Sequence, residues 1–345
     1  MLRAVLATPF EAQRAGIIQL MHVLIPFAAP LLAPSSAGAA AHAAAQALAS
    51  LNLPALHGLL LRLVLAIKDD AAETTLSPPH ERALAQALGW QAADGALPWA
   101  ARWAAADGVA VADKPWGLVS PTHWHLGTDQ VSLIDPAGLM LDDSASSELF
   151  KAVNGLMADD GFELVWGHAS RWYLSHSSLR DMPCESLDRV VGRNVDRWLV
   201  QGVHARGLRR LQSEVQMLLH GHPVNDAREA RGLLPVNSFW LSGCGAARAT
   251  TGPEPRVLDA LRAPALANDW AAWAKAWQHL DDGPLAELAT AQAAGDEVSL
   301  TLCGERNAHT WRPAPPTALG GLMRQLGKLG LARAAPPVQQ PLEVL

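Results

Sequence analysis

The sequence predicts an α/β fold in which helices cover a mostly parallel sheet, with a smaller α/β module inserted into it. Three observations point there. Short apolar runs of strand length alternate with longer amphipathic runs along most of the 345 residues. Between about residues 116 and 199 the texture changes to short strands grouped around one amphipathic helix. Half of the chain, 50%, is hydrophobic, which is enough to bury a sizeable core in two domains.

The first strand is predicted at Met21–Phe27, "MHVLIPF". The apolar run around it, with Arg3 and Arg14 upstream and alanines downstream, has some features of a signal peptide. Gln19, His22, Pro26 and Pro30 interrupt that run, so a buried strand is favoured and a spanning helix is not expected. Residues 1–20 are then a disordered extension, with Met21 as an alternative start. An alanine-rich helix follows at 39–50, and "LPALHGLLLRLVLAI" (53–67) reads as another, with Pro54 in its first turn where a missing N–H is harmless. In "SPPHERALAQALGW" Ser77 is the candidate N-cap of a helix, and "PWAARWAAADG" reads as a helix stopping at Gly108.

Within the inserted module, "WGLVSPTHWHLGTDQVSLIDPAG" reads as two strands joined by a turn at Gly127–Asp129. "DDSASSELFKAVNGLMADDG" has an acidic start and apolar Leu149, Phe150, Val153 and Leu156 at helical spacing, while "FELVWG" and "RWYLS" read as strands. The chain then returns to a long amphipathic helix carrying Leu208, Leu211, Val215, Leu218 and Leu219. "NDWAAWAKAWQHL" and "PLAELATAQAAG" read as helices, "EVSLTLCG" as a strand, and "TALGGLMRQLGKLGLA" as a closing helix. The expected division is a core of 21–115 and 200–335, an insert of 116–199, and a loose tail at 336–345.

Composition narrows the function classes. A net charge of −6 gives no basic stripe for nucleic acid, and neither nucleic acid nor membrane is expected as a partner. Thirteen Trp against one Tyr is unusual, but their helical and strand spacings suit core packing. Cys184, Cys244 and Cys303 form no CxxC pair, so no zinc site or disulfide framework is expected and a reducing cytoplasm fits best.

The densest local signal is "HGHPVNDAREARGLLPVNSFWLSGCG", residues 220–245. Pro223 restricts His222 to an extended backbone, Asn225 can cap a helix over Asp226–Arg231, and Gly232 suits its C-terminal turn. Architecture alone accounts for Asn225, Arg228 and Asn237 as caps and braces. The same residues, at a helix start near a strand's end, would also suit a phosphate. His123 and His125 in "THWHLG" fall on one face of a strand, as metal ligands or as a polar inner surface, with His168, Arg171 and His176 on neighbouring strands. "SLDRVVGRNVDRW" reads as an ion-paired connector, and "GCGAARATTG" has neither the Rossmann spacing nor a P-loop lysine.

"HPVNDAREARGLLPVNSFWLSGCG" resembles a segment of the archaeal-type, cofactor-independent phosphoglycerate mutases of the alkaline phosphatase superfamily. In that segment a His-Pro-Val-Asn turn, an Arg and a Pro-Ala-Asn turn precede a Trp-containing strand. "LPALHGLL", "SLIDPAGLMLDDSASSELFKAVNGL" and "ASRWYLS" resemble family segments in the same order, the last placing Arg171 at a substrate arginine. Together with "HVLIPFA", "SPPHERALAQALGW", "SLDRVVGRNVDRWL" and "SLTLCGER", the pattern over most of 21–312 resembles RpfE-type bacterial regulatory proteins. The resemblance implies an alkaline-phosphatase-like core. It also implies phosphoryl transfer through a phosphoserine clamped by two divalent metals, usually manganese.

Three departures stand against that chemistry. The first strand ends in Pro26 and Phe27 where the family has a metal-binding Asp. Pro79, His80 and Glu81 occupy the nucleophile's helix start, with Ser77 offset. "LTLCGERNAHTW" lacks the family's Asp-His pair and offers only His309. The expectation is a degenerate relative with a regulatory role or a phosphorylated metabolite as ligand, in which Arg171, His222, Asn225, Arg228, Asn237, His123 and His125 are the candidate substrate-binding residues and no cofactor or metal is required. One alternative is a working mutase or phosphatase using manganese or another divalent metal on His80, Glu81 and His309. Another is a protein-interaction module that binds a protein partner.

Overall fold

A computed structural model describes residues 20–30, 39–128, 130–199, 205–314 and 337–345. All but the last residue of the extension expected at 1–20, and the closing helix expected at 317–332, lie outside the described residues. The class is α/β, and the chain divides into two compact units. One comprises the described residues within 1–69, 253–264 and 270–345; the other is 70–252 with 265–269.

The first unit holds β1 (Met21–Ile25), α1 (Ala39–Ser50), α2 (Pro54–Arg62), β2 (Leu63–Asp69) and β9 (Arg256–Val257). α9 (Arg262–Leu266) leads on from β9, and α10 (Trp270–Leu280), α11 (Ala286–Ala294), β10 (Val298–Cys303) and β11 (Ala308–Pro313) complete the unit. The sheet order is β2-β11-β10-β1-β9. β10, β1 and β9 run parallel, while β11 and β2 add antiparallel. All six residues of β10 are buried, as a strand covered on both faces must be, so Ser299 and Thr301 are buried along with the Val298, Leu300 and Leu302 they alternate with. Trp270, Trp273 and Trp277, one helical turn apart, are buried edge to face, and the Trp273 indole N–H donates to the Phe27 carbonyl at 3.0 Å.

Two expectations change here. The helix expected over 53–67 stops at Arg62, and 63–69 pairs antiparallel with β11 instead. Apolar residues dominate both sides of Arg62, so periodicity did not mark where β-branched Val64 and Ile67 leave the helix for the sheet edge. The tail expected to be loose at 336–345 forms a short helix at Gln339–Glu343. Leu342 is buried, and the Leu345 carbonyl accepts from the Arg306 and Asn307 amides at 3.2 and 2.9 Å.

The second unit runs through α3 (Pro79–Ala87), α4 (Trp99–Ala106), β3 (Pro115–Thr122), β4 (Trp124–Leu126) and β5 (Val131–Leu133). It continues with α5 (Asp143–Asp159), β6 (Glu163–His168), β7 (Arg171–Ser175) and α6 (Leu187–Val190). α7 (Ala205–Leu219), α8 (Pro223–Ala230) and β8 (Ser238–Ala246) close it. Its sheet, β6-β7-β3-β8, is antiparallel throughout. Alternation sorts its two faces. Val119, Trp172, Phe239 and Leu241 pack with α5 and α7, whereas Trp116 and Tyr173 pack with α4. The expected insert of 116–199 is therefore too short. β8 pairs with β3 along its length, and α7 and α8 bury Leu211, Val215, Leu219 and Val224 in the same core, which ties 205–246 to this unit.

One long-range contact holds the start of α2. Leu53, at the N-cap, has no side-chain acceptor, and Pro54 has no N–H to satisfy. The buried carboxylate of Asp281 accepts from the Ala55 and Leu56 amides at 3.0 and 2.8 Å. Asp281→Ala strands both donors and is expected to cost about 2 kcal/mol in a denaturant titration; an unchanged midpoint would show that the cap contributes nothing.

Candidate functional site

The 220–245 segment is built as its proline and glycines dictate, but the capping roles differ from expectation. His222, extended at φ −70 and ψ 133, is itself the N-cap, and its Nδ1 accepts from Val224 N at 3.3 Å. Asn225 lies inside α8 rather than at its cap. Its amide donates to the Leu219 and Val236 carbonyls at 3.0 and 2.8 Å, and its carbonyl accepts from Val236 N at 2.9 Å. Gly232, at φ +73, ends the helix as the sequence indicates.

Arg228 is 3% exposed. Its Nε donates to the Leu234 carbonyl at 2.9 Å, and another guanidinium nitrogen donates to the Leu139 carbonyl at 2.6 Å. Burial lowers its pKa below the usual arginine value. Asn237 brackets Trp124, accepting its amide at 2.7 Å and donating to its carbonyl at 3.0 Å. His123 Nδ1 pairs with the Pro235 carbonyl at 2.8 Å, and the exposed His125 ring lies 6.3 Å from that of His123. The fold therefore gathers Asn225, Arg228, Asn237 and His123 around residues 234–237, with His125 beside His123 and His222 capping the helix that carries Asn225 and Arg228. Except for His125, they are engaged with backbone groups.

Arg171 is placed elsewhere. It shares the parity of Tyr173 on β7, on the α4 face of the sheet, whereas α8 contributes to the core on the opposite face. Its guanidinium grips Asp107 in a bidentate pair at 3.1 and 2.8 Å and lies 5.9 Å over the Trp103 ring. The Tyr173 hydroxyl donates to the same carboxylate at 2.5 Å. Burial would raise the pKa of Asp107, but hydrogen bonds from Tyr173 and Arg171 outweigh it and hold the carboxyl below its usual range. Asp107 and Tyr173 were not legible as partners, because helix and strand meet only in the fold.

A second polar cluster forms at the head of α3. Pro78, not Ser77, is the N-cap. The buried Ser77 hydroxyl accepts from Gly95 N at 3.0 Å, while Asp94 accepts from the Leu76 and Ser77 amides. Glu81 accepts from the Ser186 hydroxyl at 2.5 Å, and His80 Nε2 sits 3.2 Å from Asp188. Arg189, beneath them, donates to Thr75 at 2.8 Å. Burial pushes the Glu81 carboxyl up to about 7; neighbouring His80 and the Ser186 hydroxyl oppose that shift without cancelling it. Glu185 is likewise pushed up to about 7 by burial. Ser186 was missed by sequence reasoning, although a serine before "LDRV" is a helix-start signal.

The manganese pair implied by the resemblance does not fit these donors. Two hard divalent cations require several anionic oxygens converging on open space. β1 runs into Pro26 and Phe27, and the Phe27 carbonyl is taken by Trp273. Glu81 is a partly buried acceptor held by Ser186, and His80 faces Asp188. Among the described residues no three His, Cys, Asp or Glu side chains are placed to hold a metal ion.

No protein-family model matches the chain. The chain is similar to phosphoglycerate-mutase-like proteins. A probable 2,3-bisphosphoglycerate-independent phosphoglycerate mutase of Geobacter sulfurreducens is 30% identical over 104 residues, 29% of this chain and 25% of that relative. The match thus spans about a quarter of the relative's length. Among solved structures, the cofactor-independent phosphoglycerate mutase of Thermoplasma acidophilum aligns over 86% of this chain and 90% of its own, at 15% identity and a TM-score of 0.35. The PH0037 protein of Pyrococcus horikoshii aligns over 88% and 89%, at 12% identity and a TM-score of 0.41.

The Glu81 carboxyl gives a pH signature. Its folded pKa, about 7, exceeds the ordinary 4.5, so between those values the folded protein holds the extra proton. Its stabilising contribution is complete below 4.5 and is lost as pH rises through about 7. Glu81→Gln is expected to flatten the stability–pH curve across that interval, with Glu185 supplying the remaining slope. Superimposable curves for the two proteins would contradict the burial of this carboxyl.

Proposed function

We propose that this chain is a phosphoglycerate-mutase-like protein with an alkaline-phosphatase-like core whose metal and serine centre has degenerated, and that it acts by binding rather than turnover. The observation that carries the reading is the state of the α3 head. There the positions that the resemblance assigns to a nucleophile hold Pro79, His80 and Glu81, and the two polar side chains are spent on Asp188 and Ser186. A bacterial regulatory role of the RpfE type follows from the sequence resemblance, with a phosphorylated metabolite as the ligand class. Arg171, half-exposed beside Trp103, is the cation best placed to meet an anion, although Asp107 already offsets its charge. Arg228 serves the scaffold instead.

The reading places the protein in the cytoplasm, which three buried thiols support, and no single described helix is long and apolar enough to cross a membrane. One observation favours a catalytic alternative. A hydroxyl 2.5 Å from a carboxyl titrating at about 7 is an arrangement that a general base could use. The side chain is buried, however, and neither His80 nor Glu81 is joined by a third metal donor among the described residues.

Purified protein assayed for 3-phosphoglycerate conversion through enolase, with manganese added, is expected to show no turnover above the blank and substoichiometric metal. Addition of 3-phosphoglycerate without manganese is expected to raise the melting temperature by several degrees, and Arg171→Ala to abolish that shift. Stoichiometric manganese with turnover lost in His80→Ala would overturn the degenerate reading. A stable co-purifying protein with no response to phosphoglycerate would favour an interaction module.

A further inference from the structure

Cys184 and Cys244 are sixty residues apart in the chain, yet their sulfurs meet at 3.2 Å. Both are free thiols, 3% and 1% exposed. Cys244 belongs to the Gly-Cys-Gly ending of the 220–245 segment, which none of the roles above uses. The local construction explains the contact. β8 slips its register against β3 between Trp116 and Leu118, and Gly243 and Gly245 on either side of Cys244 sit at φ +64 and +144. Side chains at those positions would be strained, and would also press within 3.0 Å of Ala100 N and of Pro98 Cβ.

Gly117 keeps the facing side open: a Cβ there would come within 3.1 Å of the Cys244 sulfur. On the other side, the Cys184 amide donates to the Gly95 carbonyl at 2.9 Å, which fixes the 182–186 segment beside the strand. Two glycines thus kink the strand, a third leaves room for the thiol, and a backbone bond holds its partner.

We propose that Cys184 and Cys244 are an oxidisable thiol pair, a modification site that closes to an intramolecular disulfide when the protein meets a peroxide. The Cys184 S–H has two acceptors in reach, the Cys244 sulfur at 3.2 Å and the Met182 carbonyl at 3.6 Å, and the chemistry balances with either thiol first; with Cys244 first it runs in two steps. Cys244 displaces water from hydrogen peroxide and becomes the sulfenic acid. The Cys184 sulfur then attacks that sulfur, giving the disulfide and a second water. Peroxide takes up the two electrons and the two thiol hydrogens leave in water. The sulfurs need only close from 3.2 Å to about 2.0 Å.

The bond would tie β8 to the segment that carries Glu185 and Ser186, so oxidation would rigidify the support of the α3 cluster. In a reducing compartment such a bond is transient, as sensing disulfides are. This inference is independent of whether the protein binds a phosphorylated metabolite.

The test is peptide mapping of the full chain, without reduction, after exposure to hydrogen peroxide. The expected product is a linked Cys184–Cys244 peptide lacking two hydrogens, with Cys303 still alkylated after denaturation. The melting temperature should rise by about 5 °C and return on adding dithiothreitol. Cys184→Ser should lose the linked peptide and the shift; the wild-type map stands even if that variant fails to fold. Met217, 71% exposed, reports the oxidant dose. Thiols at both Cys184 and Cys244 after Met217 has become sulfoxide would overturn the proposal, as would sulfinic acid on either without a crosslink.

Discussion

A carboxyl as desolvated as that of Glu81, on a partly buried residue, persists only with a donor beside it or with its proton retained, and here both conditions hold. Ser186 supplies the donor, and the raised pKa supplies the proton over much of the neutral range. The same constraint governs each polar side chain of interest in the second unit. Arg228, Asn225 and Asn237 are bonded to backbone groups, and Arg171 to Asp107. A side chain that is satisfied inside the fold offers a ligand only what the ligand can recover by breaking those bonds. The similarity to phosphoglycerate-mutase-like proteins and the proposed loss of their chemistry are therefore compatible: the polar side chains at the α3 head are engaged in holding the fold.

Local physics made much of the fold legible. β1 lies where "HVLI" runs up to Pro26, α5 begins where Asp142 can cap it, and Gly232 turns the chain after α8. What escaped were features decided by distant partners. β2 follows a helix with only Arg62 between two leucine-rich runs, and pairing with β11 makes it a strand. The domain boundary moved because β8 completes a sheet begun more than a hundred residues earlier.

The site was less legible than the fold for the same reason. "HPVNDAREARG" displays an arginine and an asparagine suited to an anion, and nothing nearby in sequence shows that Leu139 and Val236 will occupy them. His80 and Glu81 stand out in sequence where the resemblance expects a nucleophile, whereas their partners Asp188 and Ser186 come from a connector about a hundred residues on. The Gly-Cys-Gly ending was visible, but its contact with Cys184 depends on a register shift that no periodicity reveals.

The account is tested most directly by anomalous diffraction at the manganese edge from crystals soaked in manganese and 3-phosphoglycerate. It predicts no peak beside His80 and Glu81 and an intact Ser186–Glu81 hydrogen bond. Two strong peaks there, with Ser186 or another hydroxyl turned toward the phosphate, would contradict it.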